Sequence, residues 1–184
     1  MNHQDDLFIV EKTHNLNDAE QTFIDQILSD KTPYYCMGTV EGTEEFIFAF
    51  SHILMHRNNS DTPETGIINS PFYEDALKLF DRFCVENKIT YQHIFRAAIN
   101  TTWNNITSSG YGCIHKDHSF PHYNFLMYLN DFDDGHTFIF DDDSHLIKTI
   151  TPSKNKIAIF DGKLHAQGFC RLNQRRVVLV ITFK

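Results

Sequence analysis

Two periodicities divide this chain. In the first half, apolar residues recur at helical spacing. Asn17 can cap a helix, and Phe23, Ile24, Ile27 and Leu28 form one apolar stripe that predicts a helix to about Ser29. Ser70-Pro71 supplies a cap followed by proline at the first helical position. Phe72, Ala76, Leu79, Phe80 and Phe83 then face one way and predict a second helix to about Glu86. Both read as packing helices. Residues 46–55 are apolar and aromatic but too short for periodicity to decide, and strand is the preferred reading. Residues 56–66, with Asn58-Asn59-Ser60-Asp61 and Pro63, read as a surface loop.

After Ile89 the pattern changes to short apolar segments punctuated by turn residues. Strands are predicted over residues 95–104, 112–115, 123–130, 136–140, 146–150, 156–160 and 175–183. Ser108-Ser109-Gly110, Asp133-Asp134-Gly135, Pro152-Ser153-Lys154-Asn155 and Asp161-Gly162 supply the turns. Many short strands at this spacing suggest a sandwich or a double-sheet jelly roll. The expected class is therefore mainly β with flanking α.

At 184 residues and 41% hydrophobic content, the chain suits one substantial core. Residues 1–184 are read as one domain, with 1–90 as a helical or mixed support and 91–184 as the β core. The net charge of −8 disfavours a broad nucleic-acid surface, because that affinity comes largely from Lys and Arg displacing counterions. Cys36, Cys84, Cys113 and Cys170 are widely spaced, without a C-x-x-C, as in ordinary reduced intracellular proteins. No apolar run approaches membrane-spanning length, so the expectation is a soluble, cytoplasmic protein without a membrane partner.

Candidate chemistry lies in the last third. His115-Lys116-Asp117 places two potential ligands two residues apart, on one face if the backbone is extended. Chance alone supplies about one His-x-Asp in a chain of this composition, and His3-Gln4-Asp5 is a second. Context separates them: the N-terminal copy lies in a polar tail with no strand. His165 follows the turn Asp161-Gly162, where a jelly roll is expected to return to the same opening. Two histidines and one carboxylate leave coordination positions open, which suits iron(II) chemistry with oxygen. Arg175 and Arg176 open the last apolar strand; being adjacent, they point to opposite faces, and only one can face inward.

In its order of parts, the segment from Phe95 to Lys184 resembles the iron(II)- and 2-oxoglutarate-dependent dioxygenases of the prolyl-4-hydroxylase-like branch, including uncharacterised bacteriophage-encoded members. The resemblance runs through His115-x-Asp117, Tyr123-Asn124-Phe125-Leu126-Met127-Tyr128-Leu129-Asn130, Gly135-His136-Thr137-Phe138, Pro152, Phe160, His165 and an arginine before a terminal apolar strand. It implies a double-stranded β-helix, a cupin-like jelly roll, behind N-terminal helices. It implies iron held by His115, Asp117 and His165, and 2-oxoglutarate as cosubstrate, its distal carboxylate met by Tyr128 and by a basic residue of the last strand. Aligning the apolar run Val177 to Val180 favours Arg176 for that role, while counting from His165 favours Arg175; Arg176 is placed first. Oxygen, and ascorbate as a reductant, complete the implied cofactors, and a virus-encoded member would act in the host cytoplasm. The implied reaction hydroxylates a prolyl-like peptide residue or another small substrate while 2-oxoglutarate is decarboxylated to succinate.

Departures from the family pattern are small. Gly135-His136 stands where many relatives have two glycines, and Asn155 where the turn often has glycine, a residue type that tolerates left-handed backbone. Blander readings stand beside the functional ones. Tyr128 could be a core aromatic. His118, His122, His136 and His145 read as exposed or hydrogen-bonded, with His136 the one worth testing. Asp131 to Asp134 and Asp141-Asp142-Asp143 read as solvated turns, and Trp103 as core or pocket wall. Asn100, Asn104 and Asn105 either contact a cofactor or end a strand. A cupin-like metalloenzyme without 2-oxoglutarate would need the ligands but no inward arginine, and a non-enzymatic jelly-roll module would need neither.

Overall fold

The computed structural model describes residues 8–39, 48–58, 61–104 and 110–184. The readings placed on His3 and Asp5, Phe46, Asn59-Ser60, Asn105 and Ser108-Ser109 lie outside the described residues.

Both helices form where local chemistry favours them. α1 spans Asp18–Leu28, and Asn17 closes a capping box: its side chain accepts from Glu20 N at 2.9 Å, while Glu20 Oε2 accepts from Asn17 N at 3.0 Å. α2 spans Tyr73–Glu86, beginning later than Ser70-Pro71 suggested. A tight turn precedes it, in which Ser70 Oγ accepts from Phe72 N and Ser70 O from Tyr73 N. In chain order the strands are β1 (Ile9–Thr13), β2 (Tyr35–Thr39), β3 (Phe48–His56), β4 (Ile67–Ile68), β5 (Ile94–Trp103), β6 (Tyr123–Tyr128), β7 (Thr137–Phe140), β8 (Leu146–Ile150), β9 (Lys156–Asp161), β10 (Leu164–Gln167) and β11 (Arg175–Phe183). The first half is thus richer in strand than its helical stripes suggested. The expected strand over residues 112–115 is replaced by isolated bridges, Tyr111 to Gly168 and His115 to His165.

Eight strands form a major antiparallel sheet in the order β1-β9-β6-β11-β5-β3-β2, with β4 appended to β3; β10-β7-β8 form a minor sheet. Strands alternate their side chains between faces, and the two faces of the major sheet meet different layers. From one face Val177, Leu179, Ile181 and Phe183 of β11, with Phe125 and Met127 of β6, pack against Phe23 and Ile27 of α1 and Leu79, Phe80 and Phe83 of α2. Phe80 meets Phe125 and Phe183 edge-on at 5.2 and 5.0 Å. The other face presents Leu126, Tyr128, Ala158, Phe160 and Val178 to Ile139 and Ile150 of the minor sheet. The expected mainly-β class with flanking helices therefore holds, at 42% strand and 16% helix among the described residues. Among the described residues no helix is long and apolar enough to cross a membrane.

Candidate metal centre

His115 and His165 are placed face to face by the backbone. Each amide N–H donates to the other residue's carbonyl, at 3.0 and 2.9 Å, and the imidazole centroids lie 4.6 Å apart. Asp117 brings its Oδ2 to 3.4 Å from His165 Nε2. In each histidine Nδ1 faces the carbonyl two residues earlier, Cys113 O at 3.0 Å and Lys163 O at 3.1 Å. A carbonyl can only accept, so Nδ1 is the donor and Nε2 is the ring nitrogen turned toward a metal. That is how backbone carbonyls orient metal-binding histidines.

The donor set fits a borderline divalent ion: two imidazole nitrogens and one carboxylate oxygen. Two atoms bound to one ion at about 2.0–2.1 Å are separated by roughly 3.0–3.4 Å, which is the His165–Asp117 spacing. Among the described residues, no three His, Cys, Asp or Glu side chains already stand at mutual ligand spacing.

Asp117 is 8% exposed. Burial pushes its carboxyl up, but the charges of His165, Arg96, His115 and Arg57 outweigh it and hold the pKa down at about 2. Burial also lowers the His165 pKa, against the opposing pull of the Asp117 carboxylate. Arg96 Nη1 lies 3.2 Å from Asp117 Oδ1, and Arg57 donates from Nη1 to the Asp117 carbonyl at 2.8 Å. Sequence reasoning missed both arginines. Arg57 sits in the expected surface loop. Arg96 is the lone cation of β5, a strand that also carries Asn100, Thr101 and Thr102, so nothing local marks it.

A cavity of about 550 Å³ runs between the sheets and is lined by His115, Asp117, His165 and, from β11, Arg176. Arg176 is 2% exposed. It donates to three neutral acceptors: Gly135 O at 3.1 Å from Nε, Thr137 Oγ1 at 3.1 Å from Nη2 and Gln167 Oε1 at 3.4 Å from Nη1. Its guanidinium carbon lies 5.6 Å from the Tyr128 ring centroid. Among the described residues no carboxylate pairs with it, and burial lowers its pKa. Gly135 has φ +59°, and a Cβ there would lie 2.6 Å from the Phe132 ring, so the carbonyl that receives Arg176 depends on glycine. Arg175 points to the opposite side, donating to Thr101 Oγ1 at 3.1 Å and lying over Tyr34.

The remaining sequence candidates fall in different places. Tyr128 is fully buried and does not line the cavity; its hydroxyl meets Thr137 Oγ1 at 2.8 Å, so Thr137 presents the wall and Tyr128 backs it. His136 does not line the cavity either. His118 is buried on Thr182 Oγ1 at 2.8 Å, and burial, then His122 and Arg57, bring its pKa down to about 4. His145 is exposed beside Asp141 in a turn. Trp103, expected in the core, is 46% exposed, because it ends β5 level with Phe48 and Arg175. Asn100 lines the cavity and accepts from Ser51 Oγ at 2.9 Å, whereas Asn104 donates to Cys170 O. Asn155 has the left-handed φ of +63° that its residue type tolerates.

No protein-family model and no curated protein matches the sequence. Solved structures do match over nearly the whole chain. An oxidoreductase of the 2OG-Fe(II) oxygenase family from Burkholderia pseudomallei superposes with a TM-score of 0.71 at 17% identity, covering 96% of this chain and 84% of that one. A prolyl-4-hydroxylase from Pseudomonas putida gives 0.59 at 11% identity, covering 98% and 94%. A Trichoplax adhaerens prolyl hydroxylase, in complex with a hypoxia-inducible-factor oxygen-degradation-domain peptide, gives 0.58 at 11%, covering 95% and 82%. At these identities the likeness is one of fold, and the fold of this chain is the double-stranded β-helix of the 2OG-Fe(II) oxygenases.

Proposed function

We propose that this chain is an iron(II)- and 2-oxoglutarate-dependent oxygenase that hydroxylates a prolyl-like peptide residue or another small substrate. The observation that carries the reading is Arg176, a guanidinium buried in a cavity wall with only neutral protein acceptors. A buried charge without a counter-charge is costly, and a dicarboxylate entering the cavity supplies one. In this reading His115, Asp117 and His165 hold the iron, and Arg176 takes the distal carboxylate through its planar fork. Thr137 and Gln167 hold that fork in plane, and Tyr128 supports it from behind. Leu126, Phe160, Val178 and Val180 line the cavity with apolar surface and exclude water. When bound, iron(II) and 2-oxoglutarate supply the oxygen chemistry and the oxidative decarboxylation to succinate and carbon dioxide. No protein general base is required.

Residues 1–184 act in this reading as one unit, which is supported by β1, β2 and β3 lying in the same sheet as β5, β6, β9 and β11. The peptide bound to the Trichoplax neighbour supports a peptide substrate. A cupin-like metalloenzyme that does not use 2-oxoglutarate, or a non-enzymatic jelly-roll module, leaves the buried Arg176 without a purpose. The test is anaerobic addition of iron(II) and 2-oxoglutarate. A visible metal-to-ligand charge-transfer band is expected in the wild type and in Arg175→Ala, and not in Arg176→Ala. Wild-type protein that neither binds iron nor forms succinate in air would end this reading.

A further inference from the structure

The metal end of the cavity carries a second excess of positive charge. Arg57 and Arg96 both line it, and both turn to the same carboxylate, Asp117. Arg96 reaches Oδ1 at 3.2 Å, and Arg57 Nη2 stands 3.9 Å from the same oxygen. Among the described residues neither has another carboxylate partner. Burial comes first in depressing the Arg57 pKa, and the charge of the neighbouring Arg96 follows. One carboxylate cannot neutralise two guanidiniums, and once Asp117 ligates a dication its charge is largely spent on that ion.

A second observation marks the same end of the sandwich. Asn124 of β6 is 2% exposed and lines the cavity, yet neither its amide nitrogen nor its amide oxygen has a partner. Arg96 and Asn124 sit directly opposite Thr182 of β11 on its two sides, so both belong to one stretch of the cavity wall. Arg176 is six positions away along β11, at the other end. A fully buried amide left unsatisfied costs as much as a lost hydrogen bond, unless a ligand completes it.

We infer that the substrate carries an oxyanion, a carboxylate or a phosphate, which Arg57 and Arg96 receive beside the metal ligands with Asn124 in reach of its neighbouring polar atoms. This rests on the proposed oxygenase reading and narrows its substrate class. Charge makes the case specific. The molecule as a whole is at −8, so a cluster of cations confined to one cavity is selective for a small anion rather than for an extended polyanion.

The test uses the full chain loaded with zinc(II) and 2-oxoglutarate, which blocks turnover and occupies the Arg176 end. Inorganic phosphate and acetate are titrated separately, and the Arg57 and Arg96 Nε–H resonances are followed by NMR, assigned with Arg57→Lys and Arg96→Lys. Saturable shifts of both resonances are expected, and the tighter probe tells phosphate from carboxylate. Arg57→Gln and Arg96→Gln should each weaken that anion at least about tenfold, the loss of one charge-assisted contact. Zinc(II) affinity, measured in parallel, separates this from a role in positioning Asp117. Variants that lose zinc(II) affinity but keep anion affinity, or a wild type whose resonances do not move, overturn the inference. The oxygenase reading is tested independently in the same samples: 2-oxoglutarate binding should depend on Arg176 and survive both glutamine variants.

Discussion

Replacing Arg176 by methionine removes the guanidinium and keeps most of its volume. Without ligand two effects oppose each other. The variant no longer buries an unpaired charge, but it leaves Gly135 O without its Arg176 donor, while Thr137 Oγ1 keeps the Tyr128 hydroxyl, at roughly 1–3 kcal/mol for an unsatisfied group. Unliganded stability should therefore stay within about 2 kcal/mol of wild type. Ligand response is where the two proteins should part. With iron(II) under nitrogen, 2-oxoglutarate at a hundred times its dissociation constant stabilises the wild type by about 2.7 kcal/mol. At about 2–4 °C per kcal/mol for a chain of this size, the unfolding midpoint rises by roughly 5–10 °C. Truncating one partner of a buried hydrogen-bonded charge pair costs about 2–5 kcal/mol of binding, or roughly 30- to several-thousand-fold in affinity. Arg176→Met at the same concentration should then gain less than about 1 kcal/mol. Differential scanning fluorimetry reads both numbers. An equal rise in the variant, or none in the wild type, refutes the assignment of Arg176 as the carboxylate clamp.

Gly135→Ala should destabilise by more than about 2 kcal/mol in urea unfolding, since it combines a left-handed backbone with a Cβ at 2.6 Å from Phe132; a loss under about 0.5 kcal/mol would show that the turn relaxes freely. Arg82 binds the buried Glu20 and, on the exposed side, Glu86, and Arg82→Ala should lower stability by roughly 2–3 kcal/mol, the scale of hydrogen bonds to charged groups. Burial pushes the Glu20 carboxyl up, but hydrogen bonds from Arg82 and Asn17 and the charges of His14 and Arg82 bring it below its ordinary value. The folded pKa is thus depressed, so its stabilisation is complete above the unfolded value near about 4.3 and is lost as pH falls through the folded value. Stability measured across that acid window should fall less steeply in Arg82→Ala than in wild type, and parallel curves would show that Glu20 is not the group responsible.

Much of the site was legible from local pattern. His115, Asp117 and His165 were singled out by motif and order; all three line the cavity, with His165 Nε2 3.4 Å from Asp117 Oδ2 and the two imidazole centroids 4.6 Å apart, but among the described residues no three such donors stand at mutual ligand spacing. Tyr128 was legible as an aromatic of that sheet, but its depth was not: only the stacking of the minor sheet puts Thr137 between its hydroxyl and the cavity. β10 escaped detection because Leu164 to Gln167 has little strand propensity of its own and is held by pairing with β7. β1 escaped for the same reason, since its register against β9 supplies what its short sequence lacks.

Sequence by itself determined the features whose causes are local: the Asn17 capping box, the apolar stripe of α2, the left-handed Asn155 turn and the alternation along β11 that forces Arg175 and Arg176 apart. Tertiary structure decided which of that pair faces the cavity. Alternation leaves two equivalent choices, and they become unequal only when the helices cover the Val177, Leu179 and Ile181 face and leave Arg176 with Val178 and Val180 between the sheets. Arg57 and Arg96 illustrate the same limit more sharply. Each lies far from Asp117 along the chain, at separations of 60 and 21 residues, and neither carries a local mark of its destination. Their convergence on one buried carboxylate is a property of strand order, because long-range pairing sets which distant charges share a cavity.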